Sequence, residues 1–151
     1  MDDNSTTGHE HARNQPQPSP DLASLSKLIG TWKVSGEAEG TVTYEWAEGG
    51  FFLFQHVELQ GSKGLEVIGH EHRYGEEPSA DIKSRYYGFG EGETLDYTYE
   101  LRGDTLMIWM GDRTSPAYYQ GTFDDRGEVL TGAWHYPGGG GYSTVSTKVA
   151  D

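Results

Sequence analysis

The sequence predicts an all-β fold: an up-and-down antiparallel barrel of about ten strands, preceded by a short helix. Three observations carry this. The 151 residues include 22 Gly, 10 Tyr, 4 Trp and 5 Phe, with few Leu, Ile or Ala, the composition of short strands joined by tight turns. Gly-, Asp- and Pro-containing turns recur about every ten residues from Thr31 onward. Every connection is short enough for a hairpin and none has the length of a βαβ crossover, so a meander that closes on itself removes the exposed edges.

Taken in order, residues 1–20 hold one apolar side chain beyond Met1, and prolines crowd their end. Such a segment buries too little surface to offset its ordering entropy, which predicts a disordered arm. Asp21 then precedes Leu22, Leu25, Leu28 and Ile29, a helical spacing with Asp21 as N-cap and Gly30 as terminator. This helix is expected to plug one end of a single barrel domain over residues 21–151. The strands are expected at 31–38, 40–47, 51–60, 65–74, 82–90, 93–101, 105–110, 117–123, 129–136 and 142–149.

The formal net charge of −13 repels a phosphate backbone or an anionic membrane surface, and no Lys/Arg cluster offsets it locally. Nucleic-acid and membrane partners are therefore not expected. Without cysteine there is no disulfide framework, thiolate metal site or cysteine nucleophile. The N-terminal stretch lacks the basic and apolar regions of a signal peptide, and no apolar run approaches the roughly 20 residues of a membrane span, so a cytoplasmic location is expected.

Gly30-Thr31-Trp32, after a short helix and opening the first strand, resembles the Gly-x-Trp signature of calycins, the group that includes the lipocalins. The runs Glu45-Trp46-Ala47-Glu48-Gly49-Gly50-Phe51-Phe52-Leu53, Ile68-Gly69-His70-Glu71, Gly121-Thr122-Phe123 and Leu130-Thr131-Gly132-Ala133-Trp134 resemble a bacterial family of unknown function. That family is related to the nitrobindin-like and fatty-acid-binding-protein-like barrels. The resemblance spans most of residues 25–149 and implies a calycin-like barrel whose indole at Trp32 packs across the closed base. Nitrobindin-like relatives hold haem through a histidine on a late strand; the final strand here has none, and His135 is the nearest.

Alternation along strands sorts the faces. It turns Leu95, Tyr97, Tyr99 and Leu101 inward, with Asp96, Thr98 and Glu100 outward; it turns Val42, Tyr44 and Trp46 inward, and Leu130, Trp134 and Tyr136 likewise. A two-residue turn at Ser62-Lys63 would set Gln55 opposite His70 and Leu53 opposite His72, aiming both histidines into the barrel and His56 and Glu58 out of it. The tyrosines outnumber what packing alone requires, and aromatic walls with a few hydroxyls suit an apolar ligand with one or two polar handles. The expected pocket walls are Tyr44, Trp46, Gln55, His70, Tyr97, Tyr99 and Trp134.

Other chemistries compete for the same residues. His70-x-His72 places two imidazoles on one strand face, and with Glu76 and His135 it partly matches the two halves of the cupin metal motif; a proline, a glycine and an asparagine of that motif are missing. His9-Glu10-His11 lies in the arm, where gripping a metal costs ordering entropy. Glu45, Glu48 and Glu58 alternate with apolar residues as solvated faces do. Gly138 to Gly141 follow Pro137 without the Lys or helix start of a phosphate loop. The leading expectation is a binder of a small hydrophobic or aromatic molecule, with no obligatory cofactor and room for a homodimer. The alternatives are a cofactor-free isomerase or cyclase using His70 or a tyrosine, a cupin-like metalloenzyme using His70, His72, Glu76 and His135, and a haem binder.

Overall fold

A computed structural model describes residues 16–151. It contains a one-turn helix α1 (Pro20–Ala23) that tightens into a 3-10 segment (Ser24–Leu28), then ten strands. These are β1 (Gly30–Gly36), β2 (Gly40–Trp46), β3 (Leu53–Leu59), β4 (Ser62–His70) and β5 (Ile82–Gly88), followed by β6 (Thr94–Arg102), β7 (Thr105–Met110), β8 (Tyr118–Phe123), β9 (Val129–His135) and β10 (Tyr142–Ala150). Each strand pairs antiparallel with its sequence neighbours, and β1 pairs with β10 to close the barrel. The arm expected over residues 1–20 falls, up to residue 15, outside the described residues, as does His9-Glu10-His11.

The two ends of the barrel are unlike. At the base, Leu22, Leu25 and Leu28 of the helical segment are fully buried with Leu53, Ile68 and Leu106. The segment starts two residues earlier than the spacing suggests: Ser19 is the N-cap and Pro20 opens the helix, where a missing N–H costs nothing. Trp32 donates its indole N–H to the Leu28 carbonyl (2.8 Å) and packs against Phe123, locking plug to wall. Gly30, at φ +122°, leaves β1 so close to β10 that a Cβ there would stand 2.6 Å from the Ala150 carbonyl oxygen. That close approach is the physical content of the glycine in Gly-x-Trp. A barrel of about eight strands is just filled by its own side chains, so ten need a plug at one end and leave space toward the other.

The β3–β4 turn is not where the sequence suggested. Leu59 pairs with Ser62, so the turn residues are Gln60 and Gly61, with Gly61 at φ +78°. Gly64 stays in the strand because a Cβ there would meet the Tyr86 hydroxyl and the Tyr87 carbonyl at 2.4 Å each. The ladder is thereby displaced by four residues. An even displacement keeps every side chain on its face, but Gln55 now faces Glu66 rather than His70, and Leu53 faces Ile68 rather than His72. β4 ends at His70, which leaves His72 and Glu76 exposed in the following loop. Phe51 and Phe52 likewise fall before β3 and are exposed.

Candidate functional site

The half of the barrel away from the helix encloses a cavity of about 330 Å³. Strand register builds two different walls around it. Along one rung Tyr44, Gln55, Glu66 and Tyr86 follow one another on β2, β3, β4 and β5. Along another, Tyr99, Ile108, Tyr119, Trp134 and Tyr142 follow on β6 to β10. The first wall is polar and the second aromatic.

Trp134 is the centre of the aromatic wall. Its ring lies 5.7 Å from Tyr119 and 6.1 Å from Tyr136, and it meets Tyr97 at 5.8 Å although β7 and β8 separate their strands. That last contact therefore crosses the lumen. Tyr119 fits because Gly121 and Gly132 pair directly beneath it; a Cβ at either would stand 2.4 Å from its hydroxyl. Burial pushes the phenols of Tyr44, Tyr97, Tyr99 and Tyr119 up, so all four stay protonated over the physiological range.

Glu66 is the chemical centre of the polar wall. It is 6% exposed, and its Oε2 accepts hydrogen bonds from Ser84 Oγ (2.6 Å) and Tyr99 Oη (2.7 Å). Among the described residues no Lys, Arg or His pairs with it, and none lines the cavity. Beside it, Gln55 Nε2 donates to Tyr44 Oη (2.8 Å), which turns the amide oxygen of Gln55 free of that bond. Burial raises the Glu66 pKa, and the two hydroxyl donors pull it only part of the way back.

This has a consequence for stability. A carboxyl raised in the folded state favours folding fully below its unfolded pKa, and that contribution is lost as pH rises through the folded value, by at most about 1.4 kcal/mol per pH unit. Relative to Glu66→Gln, the wild-type protein is expected to become steadily less stable as pH climbs out of the ordinary carboxylate range. Urea midpoints of both proteins across roughly pH 4 to 9 check this; a constant gap would contradict it.

Of the seven side chains expected at the pocket, Tyr44, Gln55, Tyr97, Tyr99 and Trp134 line the cavity, and Trp46 and His70 do not. Trp46 faces inward but sits at the base end of β2, paired with Leu53 and packed against the core. His70 closes the same end: Nδ1 donates to the Ser79 carbonyl (2.7 Å), while Nε2 lies 3.0 Å from Asp21 Oδ1 and 2.9 Å from Ser19 Oγ. Burial works against the Asp21 carboxylate, but hydrogen bonds from Ser19 and His70 hold its pKa below the usual range. His70 thus ties the helical plug to β4, and an acid–base role for it in the cavity falls away.

The cupin-like set is not assembled. His72 and Glu76 are exposed in the loop after β4, and His135 is exposed at the mouth end of β9, where it stacks on Tyr118. Among the described residues no three His, Cys, Asp or Glu side chains converge. Among the described residues no histidine lines the cavity, so a histidine ligand for haem is not found on its wall.

Glu66, Ser84 and Tyr142 escaped the sequence reading of the site. A signal for Glu66 existed: it shares strand parity with His70, so any register that aims His70 inward aims Glu66 inward as well. No protein-family model and no curated protein sequence matches the chain. No helix among the described residues is long and apolar enough to cross a membrane.

Proposed function

We propose that the protein binds a small molecule with an aromatic or hydrophobic body inside the barrel, as a calycin-like carrier or sensor. The observation that supports this most is the asymmetric lining of one cavity: a continuous aromatic wall faces a wall with few, fixed polar groups. Such sites take ligands by burying an apolar body and orienting one polar end. Hydrophobic contact supplies affinity, and Trp134 with Tyr97 supplies a surface on which a ring stacks.

Titration with the neutral fluorophore N-phenyl-1-naphthylamine tests the reading. Saturable 1:1 enhancement of dye emission, with energy transfer from tryptophan that falls in Trp134→Phe, is the expected result. Dye emission that never saturates, or that is unchanged in Trp134→Phe, would contradict it.

A further inference from the structure

We infer that the cavity selects a cation: its ligand is a small aromatic amine whose ammonium group docks on Glu66. This rests on the binding reading above and adds the charge and functional group of the ligand. Burying a carboxyl without a basic partner is costly, and proteins retain such a group where something from outside completes it. Glu66 is buried, is lined up by Ser84 and Tyr99, and has no Lys, Arg or His partner among the described residues.

The hydrogen-bond directions favour a donor-rich ligand. Ser84 and Tyr99 both donate to Oε2, so the carboxyl is held as an acceptor and Oε1 is left to the cavity. The Gln55 amide spends an N–H on Tyr44, and Gln55 is the direct cross-strand partner of Glu66. An alkylammonium carries three N–H donors and no acceptor, which matches a site offering acceptors and wanting donors. A ligand carboxylate or phosphate would meet Glu66 and Glu93 with no basic side chain among the described residues lining the cavity to offset them.

The rest of the molecule points the same way. Tyr97, Tyr119, Trp134 and Tyr142 line the lumen, and aromatic rings attract a cation while accommodating an aromatic body. The net charge of −13 raises the local concentration of cations and speeds their approach. Groups facing Glu66 are Tyr44 from β2, Gln55 from β3, Ser84 and Tyr86 from β5, and Tyr97 and Tyr99 from β6. All of these are neutral near pH 7, and Glu93 is the other carboxyl that lines the cavity. Because an ammonium favours the carboxylate, affinity is expected to fall by up to about tenfold per pH unit below the Glu66 pKa, with proton release on binding above that limit fading out.

A matched series separates charge from shape: 2-phenylethylamine, 2-phenylethanol and 3-phenylpropionate, each competing against N-phenyl-1-naphthylamine in the full-length protein. The amine is expected to compete at least about tenfold better than the alcohol, and the acid not at all. In Glu66→Gln, which keeps the shape of the side chain, the amine should drop to the level of the alcohol, both read as competitors against the affinity of the dye for that variant. Dye binding with the alcohol equal to or better than the amine would overturn the cation assignment and leave the binding reading intact. Failure of the dye itself, with all three competitors inert, would overturn both.

Discussion

Replacing Trp32 by alanine is expected to destabilise the protein by about 3–5 kcal/mol, the range for removing a large aromatic side chain from a core. Trp32 is 1% exposed, and three separate structures meet on its ring. The indole N–H satisfies the Leu28 carbonyl at the end of the plug, the ring face packs on Phe123 of β8, and the Lys148 ammonium of β10 lies over it at 5.4 Å. Alanine leaves a void at the base and strands a buried carbonyl. Trp32→Phe should recover most of the apolar contact but not the hydrogen bond, and so fall between. Trp46→Ala, half-buried beside the same base, serves as the comparison and should cost less. Urea midpoints measure all three; a loss for Trp32→Ala of less than about 1 kcal/mol would contradict the plugged-base account.

Filling the cavity is expected to abolish binding without weakening the fold. Thr144 on β10 and Val57 on β3 both line the lumen, on walls separated by β1 and β2. Thr144 is flanked by Gly36 on β1 and Gly132 on β9, with Tyr119 already over Gly132, so a larger side chain at 144 extends into the lumen rather than sideways. In a close-packed interior Thr144→Phe or Val57→Phe would cost about 1–3 kcal/mol by forcing neighbours aside. In an empty lumen the ring gains contacts instead, so the melting temperature should hold or rise while affinity for N-phenyl-1-naphthylamine drops at least about a hundredfold, the loss of two or three kcal/mol of apolar burial. Both variants binding dye normally would mean that the ligand sits elsewhere.

Turn chemistry and strand alternation made the barrel legible, because glycine spacing limits where hairpins form and the period of two fixes the faces. Ten strands follow from those signals, and the plugging helix from the spacing of Leu22, Leu25 and Leu28. Register was harder. Gly61 and Gly64 both read as turn residues, and only the three-dimensional packing of Tyr86 over Gly64 decides that one bends the chain while the other lies flat in the strand. That single choice moved Glu66 into the site and His70 out of it. Aromatic wall residues were recoverable since their identity and face coincide, whereas Glu66 sits between Leu65 and Val67 in the same alternation that a solvated glutamate shows. Thr98 illustrates the reverse limit: it faces outward by alternation yet is fully buried, because Lys83 and the Gly111 carbonyl close over it.

The most direct test of a ligand in the lumen is fluorine NMR of protein labelled with 5-fluorotryptophan. The four indoles are distributed conveniently: Trp32 and Trp46 belong to the base, Trp109 lies under the Arg113 guanidinium at 5.0 Å, and only Trp134 lines the cavity. On addition of N-phenyl-1-naphthylamine the account predicts that the Trp134 resonance moves and saturates, with the other three nearly still. Movement of Trp32, Trp46 or Trp109 with Trp134 unchanged would contradict it.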